Sequence, residues 1–460
     1  MTIDITKLFV SSLQLLMNEE PSESDVNQVS RCLIDYLGAT FAGGHILENK
    51  TSSLAQLLGH GSAIVNPIGM VSKVSLETAA LINGLHSHEA EMDDGIRFGM
   101  VHPGAPLFSA LLPVAEVYKV QARDFIKGVL IGYEATIRLA RAVQPSHYRK
   151  GYHPTATCGC IGATMGIAAM LGFNADEMED ALGAAAISAS GSLKVVDNGS
   201  ELKPYNVGRA AAIAVQSAMI GKSGFSAPPN TLGGDTGFFS MTSDFPSLSC
   251  LDERDAKGYW IHSIYVKPYA ACRHAHPSIE GVISILQREK FAIQEVKNVV
   301  IKTYHGLKGR HDNQNVTCTS SARMSIPFSV AIALSTRNAG INEFSQVMVD
   351  SPELHALARK IFIEENQCYT DLVPAQRPAM ILIELGNGQI FSEEVIYAKG
   401  EPENPMMLED IELKYLELSK FSGIPLELAK ALLERAWKIS NNLDVFFSAM
   451  KNCAWIRKND

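Results

Sequence analysis

The residues HSHEAEMDDGIRFGMVH at positions 86–102 concentrate three histidines and four carboxylates in one short stretch. Histidine and carboxylate side chains carry out general acid–base catalysis, and they also bind metal ions. The preceding residues ETAALINGL predict a helix, on which His86 and His88 are two positions apart and point in different directions. This spacing disfavours a metal site built on the two histidines.

A metal ion at this stretch would have to use Asp93, Asp94 and His102 from a loop. We therefore favour acid–base chemistry, for which the same carboxylates are suited. The remaining interpretation is a solvated polar face, to which Glu89 and Glu91 would belong.

Three His-Pro pairs, with histidines at 102, 153 and 276, are each followed by small residues and an apolar segment. Proline is favoured at the first position of a helix, so His102, His153 and His276 are each predicted at or just before a helix N-terminus. Such termini attract carboxylates and phosphates. Lys203 and Lys267 occur in similar contexts, so the pattern indicates a substrate with two or three carboxylates. A single His-Pro pair, by contrast, is commonly structural.

The bulk composition limits the function classes. The chain has 460 residues, 46% of them hydrophobic, and a formal charge of −9, which predicts two or three globular domains and no nucleic-acid partner. The N-terminus predicts an amphipathic helix and not a signal peptide, and no segment is apolar enough to span a membrane. The eight scattered cysteines match neither a disulfide framework nor paired zinc-site spacing. We expect a cytoplasmic protein.

The periodicity divides the chain into a helical region at 1–262, an α+β region at 263–400 and further helices at 401–460. In the α+β region, strands are predicted at 298–305 and 379–386, the second followed by a hairpin turn at Asn387-Gly388. Helices are predicted there at 277–287, 325–336 and 352–365.

Several motifs together resemble the MmgE/PrpD family. They are, in order, NGLHSHEAEMDD, HPGAP, GYHPTAT, ELKPYNVGRAA, VKPYAACRHAHP and ARMSIPFSVAIAL. The family includes 2-methylcitrate dehydratase, cis-aconitate decarboxylase and iminodisuccinate epimerase. The resemblance implies a mainly α fold with a large helical domain and a smaller α+β lid domain. It further implies a homodimer, a small-molecule substrate, and no metal or organic cofactor.

The resemblance also implies roles for individual residues. Asp93, His102 and His153 are expected to be catalytic, with His102 as the acid and Asp93 or His153 as the base. The residues expected to bind substrate are His88, Asp94, Lys203, Lys267, Arg273 and His276, with the two lysines and the arginine holding carboxylates.

Five positions depart from the family pattern. Glu91 stands where dehydratases and decarboxylases usually have aspartate, and Gly95 replaces a threonine. Asn206 replaces a common histidine, Cys272 stands where the decarboxylase has a site histidine, and Arg323 takes a common lysine position. These departures disfavour decarboxylation.

The expected function is a 2-methylcitrate dehydratase-like hydro-lyase that removes a proton next to a carboxylate. The alternative is an epimerase of an iminodisuccinate-like dicarboxylate. A cis-aconitate-type decarboxylase, a non-catalytic polycarboxylate-binding protein and a metal-dependent hydrolase rank below these two.

Overall fold

The computed structural model describes residues 3–58 and 61–454, without the side chains of 197–199. The first half of the chain is helical. Its helices are α1 Ile5–Met17, α2 Glu23–Leu58, α3 Leu76–Glu89, α4 Gly104–Tyr118, α5 Ala122–Val143, α6 Ser146–Arg149, α7 Pro154–Met170, α8 Ala175–Ser188, α9 Lys203–Lys222 and α10 Phe238–Thr242.

The middle of the chain mixes helices and strands. Its elements are α11 His276–Arg288, β1 Val296–Thr303, α12 Thr319–Met324, α13 Ile326–Thr336, α14 Gln346–Val349, α15 Pro352–Ala358, β2 Ile361–Glu365, α16 Gln367–Thr370, β3 Ala379–Leu385 and β4 Ile390–Val395. The last elements are α17 Leu408–Phe421, α18 Leu426–Trp437 and α19 Leu443–Asn452. The expectation of a mainly α fold with a smaller α+β region is confirmed.

The chain separates into two compact units. The helical unit comprises 1–194, 202–264 and 407–460, and the α+β unit comprises 195–201 and 265–406. Among the described residues, no helix combines the length and apolarity needed to cross a bilayer.

Helix α7 forms the centre of the helical unit, packed against α4, α5, α8 and α9. All 17 of its residues are buried, as expected for a helix that is apolar on every side. Helices α3 and α9 approach especially closely, because a Cβ atom on Gly84 would lie 2.5 Å from the Cα atom of Gly208. This approach brings the first turn of α9 beside the last turn of α3.

Helix α3 sends its two histidines to different surroundings, as predicted. His86 Nε2 lies 3.0 Å from Thr51 Oγ1, whereas His88 Nδ1 lies 2.6 Å from Asp93 Oδ2. His88 therefore contacts the carboxylate-rich loop that follows the helix.

The α+β unit contains a four-stranded sheet in the order β2-β1-β3-β4. Strand β1 runs parallel to β2 and antiparallel to β3, and β3 forms a hairpin with β4 through Asn387-Gly388. Helix α11 packs on β3 and β4. The predicted helix at 352–365 is wrong in its second half. There α15 ends at Ala358 and Ile361–Glu365 form β2, in which Ile361 and Ile363 alternate as buried residues between exposed ones.

Candidate active site

The acidic loop that follows α3 is buried. Glu91, the second residue after the helix, has a left-handed backbone with φ of 52°, which ends α3 and turns the chain. Glu91, Asp93 and Asp94 are 5%, 2% and 5% exposed, and Glu89 is 7% exposed. The interpretation of this stretch as a solvated polar face is therefore wrong, because buried carboxylates persist only with partners.

Asp93 lies between two histidines. Its Oδ2 atom is 2.6 Å from His88 Nδ1 and 3.3 Å from His102 Nδ1. His102 Nδ1 also lies 2.6 Å from the backbone oxygen of Asp94, to which its N–H donates. With the proton on Nδ1, the lone pair of neutral His102 is on Nε2. The His102 side chain is 16% exposed, against 0% for His88. His102 is thus oriented by an aspartate while remaining accessible, an arrangement suited to proton transfer.

Asp94 is a structural partner of this histidine. Its Oδ2 accepts a 2.5 Å hydrogen bond from Tyr133 and its Oδ1 accepts one of 3.0 Å from the amide of Gly104. Burial raises the pKa of Asp94 to about 7, although the Tyr133 hydrogen bond opposes the shift. A Cβ atom at position 104 would lie 2.5 Å from the Tyr133 hydroxyl, so this contact requires glycine.

His153 occupies the N-cap position of α7, as its His-Pro pair predicts, but its side chain makes no capping hydrogen bond. Asn206 Nδ2 lies 3.3 Å from His153 Nδ1 and donates to it, which leaves the ring proton on Nε2. Burial lowers the pKa of His153 well below its usual range, and the positive charge of Lys203 acts in the same direction. His153 is therefore neutral near pH 7. Its ring centre lies 6.0 Å from that of His88.

Lys203, the first residue of α9, forms an ion pair with Glu91. The two side chains are only 11% and 7% exposed. The predicted carboxylate-binding lysine thus already contacts a carboxylate of the chain, the one that departs from the family pattern. This pair joins α9 to the loop that carries Asp93.

Lys414 supports the same loop and was missed in the sequence analysis. Its Nζ atom donates to the backbone oxygen of Met92 at 2.7 Å and to Asp35 Oδ1 at 2.5 Å. A recognisable signal was present, because Lys414 occupies an apolar position of α17 between Ile411 and Leu418. A charged residue at such a position indicates a buried partner.

In the α+β unit, Arg273 is fully engaged by protein oxygens and one nitrogen. Nε and Nη2 donate to Glu401 Oε1 at 3.0 and 2.9 Å, and Nη1 and Nη2 donate to the backbone oxygens of Lys399 and Ala398. Nη1 also donates to His276 Nδ1 at 3.1 Å. All five guanidinium protons are therefore used, so binding a substrate carboxylate would require this network to open.

The other predicted residues of this unit are also buried. His276 begins α11 and donates from Nε2 to the backbone oxygen of Ala271 at 3.0 Å. Lys267 has no exposed surface. The backbone of Cys272 donates to that of Arg323 at 2.8 Å. Substrate contacts for Lys267, Arg273 and His276 remain predictions.

Among the residues that the structure describes, two groups of side chains have the composition of a metal site. Their members are His88, Asp93 and His102 in the helical unit, and Cys272, His274 and His311 in the α+β unit, with ligand atoms within 4.8 Å of one another in each group. In the first group, the nitrogen of His88 and the oxygen of Asp93 are hydrogen-bonded to each other. That contact matches acid–base chemistry directly, whereas a metal ion would have to replace it.

Two family models together match most of the chain, and they agree with its division into a helical unit, which contains this histidine–aspartate cluster, and an α+β unit. The MmgE/PrpD N-terminal domain matches residues 10–250, and the MmgE/PrpD C-terminal domain matches residues 269–438. The chain belongs to the MmgE/PrpD family. It is 23% identical over 420 residues to cis-aconitate decarboxylase from Aspergillus terreus, covering 86% of this chain and 85% of that protein. It is 22% identical over 434 residues to cis-aconitate decarboxylase from Homo sapiens, covering 89% and 87%.

Proposed function

We propose that this protein is an enzyme of di- or tricarboxylates that transfers a proton at a carbon next to a carboxylate, as a 2-methylcitrate dehydratase-like hydro-lyase. The observation that carries this proposal is the position of Asp93 between His88 and His102, with His102 the more exposed histidine. A histidine held by a buried carboxylate is a common general base in enzymes.

The proton-transfer step uses His102 Nε2. This nitrogen takes the proton from the substrate carbon, and the bonding electrons move toward the adjacent carboxylate. Asp93 Oδ2, 3.3 Å from Nδ1, stabilises the resulting imidazolium. The bond between the neighbouring carbon and its hydroxyl then breaks, and Nε2–H returns the proton to the departing oxygen. The products are an alkene and water, and His102 is again neutral.

This assignment selects among the alternatives left open by the sequence. His102 was expected to be the acid and Asp93 or His153 the base. The lowered pKa of His153 makes it a weak base, and its Nε2–H is better suited to donate a hydrogen bond to a substrate oxygen. Asp93 is held by His88, so it orients His102 and does not itself remove the proton.

Lys203 supplies the positive charge for a substrate carboxylate. In the absence of substrate, this charge is balanced by Glu91. We propose that a substrate carboxylate takes over part of this ion pair when it binds. An exchange of one carboxylate for another keeps the buried lysine compensated throughout.

Decarboxylation is the second candidate, because the curated relatives reported above are named cis-aconitate decarboxylases. In that reaction the carbon–carbon bond to the carboxylate breaks, CO₂ leaves, and a protonated His102 delivers its proton to the carbanion.

An epimerase is the third candidate function, and it requires proton-transfer groups on both faces of the substrate. The lowered pKa of His153 disfavours it as the second of these groups.

The test is an NMR time course of the purified enzyme in deuterated water, with 2-methylcitrate, citrate, cis-aconitate and iminodisuccinate supplied separately. Conversion of a hydroxylated substrate to an alkene supports the hydro-lyase. Release of CO₂ from cis-aconitate, with one deuterium in the product, favours the decarboxylase. Deuterium in an intact substrate with scrambled stereochemistry favours the epimerase. No change in any substrate would contradict the proposal.

A further inference from the structure

Cys272, His274 and His311 form a compact group in the α+β unit that the proposed reaction does not use. Cys272 immediately precedes a short 3-10 helix, Arg273–Ala275, which contains His274. His311 lies in the segment between β1 and α12. One ligand atom from each of the three residues lies within 4.8 Å of the other two.

The composition of this group selects a borderline-soft divalent cation. Thiolate and imidazole ligands favour zinc and related transition metals over calcium or magnesium, which prefer oxygen. Three protein ligands leave one of four tetrahedral positions for water or another small ligand. Bond lengths of about 2.3 Å to sulfur and 2.0 Å to nitrogen place ligand atoms roughly 3.5 Å apart, so the ligand atoms need to approach one another by at most about 1.3 Å.

Both histidines have a protein oxygen beside Nδ1. His311 Nδ1 lies 3.0 Å from the backbone oxygen of Met324, and His274 Nδ1 is hydrogen-bonded to the hydroxyl of Tyr304. Metal-binding histidines usually donate their second ring N–H to such an oxygen, which fixes the tautomer and leaves Nε2 as the ligand. The two imidazole ring centres are 5.0 Å apart.

The backbone that carries the ligands is also fixed. The Cys272 amide donates to Arg323 at 2.8 Å, and the amide of His311 donates to Leu307 at 2.8 Å. The guanidinium of Arg273, between Cys272 and His274 in sequence, is held by Glu401. Ligands presented by a fixed backbone need little ordering when an ion binds, which favours affinity.

We propose that Cys272, His274 and His311 bind one zinc-like divalent cation with an open fourth position. The proposal does not depend on the reaction at His102. The proposed site also differs chemically from the His88, Asp93 and His102 group, which contains no sulfur. This site has no recognisable sequence signature, because one histidine lies two residues after the cysteine and the other lies 39 positions away.

The experiment is a cobalt titration of the purified, chelator-treated full chain under reducing conditions. Co²⁺ bound by a thiolate absorbs through sulfur-to-metal charge transfer, which nitrogen and oxygen ligands do not produce. We expect this band to saturate at one Co²⁺ per chain and to disappear when one equivalent of Zn²⁺ is added. Because this titration uses the wild-type protein, the test does not depend on the folding of any variant.

Variants then assign the ligands. Cys272→Ser removes the charge-transfer band, and His311→Ala weakens Co²⁺ binding by at least about tenfold. Tyr304→Phe keeps the ring but removes the oxygen beside His274, and it weakens binding by about tenfold. Cys318→Ser is the matched control, because Cys318 is also half-buried in the same unit but lies outside the group. This control leaves the spectrum unchanged.

The proposal is overturned if the wild-type protein gives no charge-transfer band with excess Co²⁺. It is equally overturned if the band persists in folded Cys272→Ser or is lost in Cys318→Ser. Circular dichroism of each variant establishes that it is folded. Failure of the NMR test of the proposed reaction would leave these spectra unaffected, so the two proposals fail separately.

Discussion

The hydroxyl of Tyr133 donates a 2.5 Å hydrogen bond to Asp94, whose backbone oxygen lies 2.6 Å from Nδ1 of His102. One aspartate thus connects a buried tyrosine of α5 to the proposed base. The tyrosine reaches the carboxylate, while the histidine is held by the peptide group of the same residue. Tyr133 is therefore a positioning residue.

Tyr133→Phe removes the hydrogen bond that opposes the raised pKa of Asp94, so this pKa rises above about 7. The hydrogen bond favours the ionised carboxylate, and its contribution to stability is larger above the pKa of Asp94 than below it. We expect the free energy of unfolding to fall by about 1–2 kcal/mol, and by more near about pH 8.5 than near about pH 6.

Urea unfolding at the two pH values measures this difference. Tyr36→Phe is the control, because Tyr36 is also buried and its hydroxyl is hydrogen-bonded at 2.9 Å to the hydroxyl of Ser109, a group that does not titrate. The control should lose similar stability at both pH values. A loss for Tyr133→Phe that is the same at both would contradict the linkage to Asp94.

His102→Gln removes the proposed proton-transfer nitrogen and should lower kcat by roughly 10²- to 10⁴-fold with little effect on stability. Asp93→Asn should lower kcat as well, because the neutral amide no longer stabilises the imidazolium. Steady-state kinetics on the substrate identified by NMR measures both effects. His45→Gln, at an exposed position on α2, is the control. Retention of more than about a tenth of wild-type kcat by His102→Gln would remove His102 from this role.

Glu91→Gln leaves Lys203 buried without its ion-pair partner and should reduce the free energy of unfolding by about 3 kcal/mol. If substrate carboxylates bind Lys203, citrate should raise the Tm of this variant more than that of the wild-type protein. Thermal unfolding with and without citrate measures both effects.

The matched control is Glu177→Gln, whose partner Lys222 lies at the other end of α9. That pair is more exposed, at 25% and 49%, so its loss should cost less than about 1 kcal/mol, and citrate should raise the Tm of this variant only as much as that of the wild-type protein. An equal response of both variants to citrate would exclude Lys203 as the carboxylate-binding group.

Buried histidines make the protein sensitive to acid. Burial lowers the pKa of His86 to about 3 and that of His147 to about 4. Both are neutral when folded but take up a proton below about 6.5 when unfolded. The free energy of unfolding is therefore highest, as far as these two histidines are concerned, above about pH 6.5. It decreases as the pH falls from there toward their folded-state pKa values. Each histidine contributes a slope of about 1.4 kcal/mol per pH unit in this range.

His147→Gln tests this slope. The glutamine can still bond to Thr157 or Thr242, the present partners of His147, but it cannot take up a proton. Between about pH 6 and pH 4.5, the free energy of unfolding should fall less steeply with decreasing pH than it does in the wild-type protein. The slope should differ by the contribution of one proton, about 1.4 kcal/mol per pH unit. His45→Gln, at an exposed position on α2, should leave the decline unchanged. If His147→Gln also leaves it unchanged, His147 is not the titrating group.

Local sequence signals predicted the histidine-bearing helix starts well. His153 is the N-cap residue of α7 and His276 is the first residue of α11, because proline at the first turn fixes the backbone angle without using a backbone N–H. The β3–β4 hairpin also follows from local turn chemistry, with Gly388 at a φ of 86°. Strand β2 was missed because its alternation of buried and exposed residues spans only Ile361–Glu365 and directly follows a helix.

The contacts of the site could not be read from local signals. Glu91 was recognised as unusual, but its ion pair with Lys203 joins residues 112 positions apart. Asp35 and Lys414 are separated by 379 positions. Such pairs depend on how helices pack, and neither periodicity nor turn chemistry specifies which buried charges meet. The Cys272, His274 and His311 group was not predicted for the same reason, because the fold, and not the local sequence, brings His311 beside the other two residues.

The contact of Lys414 with the backbone of Met92 has a consequence for biosynthesis. The acidic loop emerges from the ribosome more than three hundred residues before the lysine that holds it, since these residues are 322 positions apart. During translation, α3 and α4 are complete long before Asp35 and the loop receive this partner. The geometry at Asp93 is thus completed only when α17 has been made, so a nascent chain that stops at residue 406 lacks this support.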